Sequence, residues 1–133
     1  MYSYSSMIGV FGNEGGRYIE VMEYKFHDMI RLLLQHVHVD ENWYRENYQD
    51  VEDAISRGAI ASAREHYIAA GYFEDRFPHW IVVDTAWYLD NNPDVAEGVR
   101  LGNINSAEEH FQMAGFKEGR LPFEGWTLLG RRD

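Results

Sequence analysis

Residues 39–78 and 83–122 carry one 40-residue pattern twice, aligned without a gap at a constant offset of 44. The copies are identical at 18 of those 40 positions, among them Trp43/Trp87, Tyr44/Tyr88, Asp50/Asp94, Gly58/Gly102, His66/His110, Gly71/Gly115, Arg76/Arg120 and Pro78/Pro122. A tandem repeat restricts the fold sharply, because both copies must form the same local structure. A unit of this length is also expected to cover its apolar face by stacking against a neighbour.

Each copy reads as three short helices. Asp40 and Asp84 stand just before Trp43-Tyr44 and Trp87-Tyr88, where an aspartate caps a first helix. Asn92-Pro93-Asp94 suits the opening turn of a second helix, about Val51–Arg57 in one copy and Val95–Leu101 in the other. Gly58 and Gly102 are placed to end it in the left-handed conformation. Ser62-Ala63-Arg64-Glu65 and Ser106-Ala107-Glu108-Glu109 are both Ser-x-x-Glu capping boxes opening a third helix, which is expected to stop at Gly71 or Gly115. Trp, Tyr, Val and Ile at matching positions are then the core within and between copies.

Ahead of the repeats, Ile19, Met22, Phe26, Met29, Ile30 and Leu33 recur at three- and four-residue steps between Arg17 and His36, which predicts a helix of about five turns over residues 17–37. Val21, Leu32 and Leu34 widen its apolar stripe beyond one face, so something must cover it on more than one side. Residues 1–16, rich in Ser, Tyr and Gly, read as a flexible start or as part of a small hairpin joining Met7–Phe11 to Tyr18–Met22. The Gly12–Gly16 cluster has no lysine after it and is no phosphate loop. Trp126 and Leu128-Leu129 are candidates to close the far side of the stack, residues 123–133 forming a tail that frays from Gly130 onward.

The expected architecture is therefore mainly α: a single domain of 133 residues with one long N-terminal helix and two stacked three-helix repeats. A formal net charge of −10 repels phosphate backbones and anionic lipid, so nucleic acid is excluded as a partner class. The absence of cysteine removes disulfides, thiolate metal sites and a cysteine nucleophile. The apolar run Ile30–Leu34, interrupted by Arg31, is too short to insert into a membrane. The opening residues lack the basic and apolar regions of a secretion signal, which makes the cytoplasm the expected location.

The pattern D-x-x-W-Y-x-x-x-N-P-D-V followed by S-A-x-E-H-F-x-x-x-G-x-x-E-G-R-x-P resembles a short helical repeat of bacterial proteins. That repeat occurs beside glycosyltransferase domains and in large surface and calcium-binding-repeat proteins. The resemblance spans residues 39–122 and is closer in the second copy, since the first has Tyr48-Gln49-Asp50 for Asn-Pro-Asp and Asp75 for the glycine before arginine. It implies a noncatalytic module tied to assembly of surface polysaccharide or protein, and carries no active site to transfer.

The repeated polar and aromatic residues admit two readings each. Trp43-Tyr44 and Trp87-Tyr88 are either core or a platform for pyranose rings. Arg76 and Arg120 either bind an anionic sugar or a carboxylate on a partner, or tie back within the repeat to Asp50 and Asp94 or to free helix-end carbonyls. His66 and His110 each follow a glutamate, but adjacent residues on a helix point about 100° apart, which favours a structural histidine bonded to a carboxylate or carbonyl over a catalytic pair. His36 and His38 are the weak metal candidates, against a plain histidine pair at a helix end. No cofactor is implied. The favoured role is an interaction or adaptor module, docking a protein partner or a second copy through Ile19, Met22, Phe26, Met29 and Leu33. A glycan-binding module comes second, and a His/Glu metal enzyme third.

Overall fold

The structure, a computed structural model, describes residues 3–7, 20–127 and 130–131. The fold is mainly helical, as the repeat signals require. In chain order the elements are α1 (Tyr4–Met7), α2 (Glu23–Leu34), α3 (Glu41–Asn47), α4 (Gln49–Ser56), α5 (Ala63–His66), α6 (Thr85–Asn91), α7 (Pro93–Arg100) and α8 (Ala107–His110), then β1 (Trp126–Thr127) and β2 (Gly130–Arg131). Each repeat contains three helices in the same register.

Their boundaries follow the chemistry of the caps. The Trp43 and Trp87 amides each donate to the side chain of Asp40 or Asp84 at 3.0 Å. Pro93 opens α7, where its missing N–H costs no helical bond. Gly58 and Gly102 follow α4 and α7 at φ of +73° and +76°, as a left-handed helix stop demands. Ser62 and Ser106 accept from the Glu65 and Glu109 amides at 3.0 and 3.1 Å. The return half of the first box closes one residue early: Glu65 accepts from the Ala61 amide.

The third helix departs from expectation. α5 and α8 continue directly into π turns, Tyr67–Gly71 and Phe111–Gly115, and the first copy adds a 3₁₀ turn at Tyr72–Glu74. Gly71 is right-handed (φ −57°), so it does not end the helix. The left-handed stop lies four residues on, at Asp75 (φ +56°) and Gly119 (φ +76°).

The described residues gather into two compact units, one holding residues 20–79 and the other residues 3–7, 80–127 and 130–131. Each contains one repeat with its own core. In the first, Tyr44, Val51, Ala63, Tyr67, Tyr72 and Pro78 are buried; in the second, Tyr88, Val95, Ala107, Phe111, Phe116 and Pro122. The ring geometry matches as well, Tyr44 to Tyr67 and Tyr88 to Phe111 both meeting edge-on at 6.0 Å. Each repeat also closes on itself, the Asp40 amide donating to the Pro78 carbonyl (3.0 Å) and the Asp84 amide to that of Pro122 (2.9 Å). A 40-residue segment thus covers its own aromatic core by joining its ends.

The N-terminal helix is shorter than its periodicity suggests. It starts at Glu23, with Met22 already extended (ψ 134°), and residues 20–22 are outside it. Most of the expected hairpin and flexible start lies outside the described residues, although Tyr4–Met7 is helical. At the other end, Gly130-Arg131 is not frayed but pairs antiparallel with Trp126-Thr127. No helix among the described residues is long and apolar enough to cross a membrane.

Candidate functional site

The recurring polar residues assemble into one cluster per repeat. Its centre is a tyrosine from the first helix: Tyr44 Oη lies 3.0 Å from His66 Nδ1, and Tyr88 Oη lies 2.9 Å from His110 Nδ1. Both hydroxyls press against the π turn, where an added Cβ on Gly71 or Gly115 would stand only 2.2 Å from the phenol oxygen. The glycine is there to admit that hydroxyl, and the widened turn brings its backbone up to it. Burial pushes the Tyr44 phenol well above its ordinary range and that of Tyr88 up to about 12. His66 is moved down, first by burial and then by the Arg76 charge, both of which disfavour its protonated form.

Beside this core sits the arginine. Arg76 donates to both carboxylate oxygens of Asp50 at 2.8 and 2.7 Å, and Arg120 does the same to Asp94 at 2.8 and 2.6 Å. Their Nε atoms reach Glu74 and Glu118. The copies differ in how they cover the guanidinium: it stacks over the Tyr48 ring at 4.9 Å in the first and donates to Asn92 Oδ1 at 2.9 Å in the second. The paired guanidinium holds the Asp50 and Asp94 carboxyls down at about 2. Two-pronged pairing of this kind fixes orientation, and at aspartates that are 62% exposed water screens much of its energy.

This geometry decides between several readings. Tyr44 and Tyr88 are fully buried and have no face for a sugar ring, which leaves only the half-buried Trp43 and Trp87 of the expected platform. Arg76 and Arg120 make the internal tie to aspartate instead of facing an anionic ligand. His66 and His110 bond to a tyrosine hydroxyl, where a carboxylate or carbonyl was expected. His36 and His38 are exposed, and His38 has the His79 ring 5.8 Å away. Among the described residues no group of three or more His, Cys, Asp or Glu is placed to hold a metal ion. No buried side-chain nitrogen or oxygen among them lacks a hydrogen-bond partner. An open hollow of about 340 Å³ lined by Asn42, Arg45, Glu46, Gln49 and Glu52 is spanned by the Arg45–Glu52 ion pair, so its arginine is already engaged.

Comparison of the chain with protein-family models, curated proteins and solved structures finds no match.

The expected docking helix stands apart from these clusters. Ile30 and Leu34 of α2 are buried. Arg31 donates to the Ala69 carbonyl at 3.0 Å and lies over Phe73, and Arg64 reaches back to the Val37 carbonyl at 2.7 Å and to that of Gln35. These bonds seat one side of α2 on the first repeat. On the other side Met22 (62%), Met29 (60%), Leu32 (71%) and Leu33 (44%) are exposed, and Phe26 is half-buried at the edge. Ile19 lies outside the described residues. Leu32 is the most exposed of the set and lies at the edge of the face, one three-residue step beyond Met29. Its signal was the width of that stripe.

Proposed function

We propose that this protein is a noncatalytic helical-repeat interaction module that docks onto a protein surface through the outer face of α2. The observation that carries the reading is the contrast between two sets of residues. The polar groups that would serve chemistry are engaged with one another inside each repeat. The large apolar groups of α2 face water, where each square ångström costs roughly 25 cal/mol if nothing covers it. The likeness of residues 39–122 to repeats of bacterial surface assemblies supports an adaptor role in polysaccharide or protein assembly of that kind.

A photo-reactive side chain at position 29, with position 53 on the exposed surface of α4 as control, tests the reading in the cells that make the protein. Covalent protein adducts from position 29 and none from position 53 are expected; equal labelling from both, or none from either, sinks it. Glycan binding through Trp43 and Trp87 is the second reading, and a Trp43→Ala/Trp87→Ala variant that loses retention on a polysaccharide column would revive it.

A further inference from the structure

At 100° per residue, Leu32, Lys25, Met29, Leu33 and Phe26 fall within an arc of about 120° on α2, and Met22, the residue that caps its start, stands in line with that arc. Met22 and Met29 stand seven residues apart along that line, the spacing by which two helices keep one seam in contact, and His36, seven further on, lies in the turn just past the end of α2. We infer that this face is covered by the same face of a second copy, the two α2 helices running antiparallel about a two-fold axis near Met29; the inference rests on the docking reading above.

Three observations favour a second copy over another occupant. The first is size. The exposed part of the arc, Lys25 and Met22 included, presents on the order of 500 Å² per copy, so two copies bury about 1,000 Å², the lower limit for a specific interface. The second is symmetry. Met29 lies at the middle of α2, so a two-fold axis there sets the capping residue Met22 of one copy near His36, just past the helix end, of the other and leaves neither helix overhanging. The third is charge. Lys25 is the charged residue inside the arc, and the antiparallel arrangement lays it beside Leu33 of the other copy, in the last helical turn, whose carbonyl end carries partial negative charge. A parallel pair would set the two lysines together. The small area predicts a reversible dimer with a Kd of about 1–100 μM. Because each copy carries −10, screening by salt should tighten it several-fold between low and physiological ionic strength.

The full chain, sedimented to equilibrium from about 5 to 500 μM, tests this directly. A monomer–dimer equilibrium is expected, and Met29→Glu and Leu33→Glu, both at exposed positions, should shift it at least tenfold toward monomer with an unchanged circular dichroism spectrum. Because the chain has no cysteine, oxidative cross-linking gives the orientation cleanly. Met22→Cys mixed with His36→Cys should form the mixed disulfide dimer, Met29→Cys should pair with itself, and Met22→Cys alone should not. Self-pairing of Met22→Cys overturns the antiparallel arrangement, and a dimer that survives both glutamate substitutions overturns the face. A chain that stays monomeric at 500 μM overturns the second copy while leaving the docking reading intact, provided position 29 still cross-links to a different protein in cells; absence of both sinks the two together.

Discussion

The glycine at 71 and its equivalent at 115 show why a residue can recur for a reason that spacing alone does not reveal. Each lies under a tyrosine hydroxyl with no room for a methyl group. Gly71→Ala or Gly115→Ala should cost about 2 kcal/mol in chemical denaturation, the scale of an overpacked core. Removing the hydroxyl should restore part of that loss: Tyr44→Phe with Gly71→Ala is expected to be more stable than Gly71→Ala alone, with a coupling of about 1 kcal/mol or more. Additive losses would mean that the contact does not govern the site. The same cluster sets the pH range of stability. Asp50 and Asp94 titrate at about 2 when folded and near 3.8 when unfolded, so what they contribute is present above pH 4 and lost as pH falls toward 2. His66, shifted down, adds a loss that begins as pH drops below about 6.5, because the unfolded chain takes up that proton first. Tyr88, raised to about 12, leaves stability intact below pH 10 and removes it between 10 and 12. Melting temperatures followed across this range should fall on both sides, and Asp94→Asn should flatten the acid limb.

At the scale of elements, the two copies differ where their surroundings do. In the first, Glu41 accepts from the Ala63 and Arg64 amides at 2.9 and 3.0 Å and caps α5, which leaves the Arg64 side chain to hold the end of α2. The matched positions in the second copy are Thr85 and Glu108, which bond to each other. That pair of exchanges was visible in the alignment, but only the packing of α2 on the first repeat gives it meaning. Arg64→Ala should therefore raise amide exchange in residues 23–37 at least several-fold while the repeat helices stay protected. Loss of protection throughout residues 39–78 would assign Arg64 to the repeat core instead. Ser62→Ala and Ser106→Ala should each cost about 1 kcal/mol, since each removes the acceptor for a first-turn amide. Gly119 differs from Asp75 for a similar reason: an added Cβ there would meet the Ser6 side chain at 2.8 Å, so the approach of α1 requires glycine at that position.

For the whole molecule, the division into two compact units predicts unequal responses to local damage. In hydrogen exchange, Gly71→Ala should weaken protection across residues 39–78 more than across residues 83–122, and Gly115→Ala the reverse. Equal loss in both would indicate one cooperative unit. Much of this organisation was legible beforehand. The constant offset of the copies, the aspartate and serine caps, and the glycines at 58 and 102 specify three helices per repeat, because caps and left-handed stops act within a few residues of chain. The tie of Arg76 to Asp50, and of Arg120 to Asp94, was one of two internal ties open in the sequence, the other being to free helix-end carbonyls, and the structure selects the aspartates. What the sequence could not decide was anything set by distance through space. The bond of Tyr44 and Tyr88 to a histidine 22 residues on, the π turn that receives them, and the side of α2 left uncovered all depend on which surfaces meet. Local chemistry determined where the aspartate- and serine-capped helices begin and where α4 and α7 stop; only the closing of each repeat on its own core determined which residues lie inside and which face water.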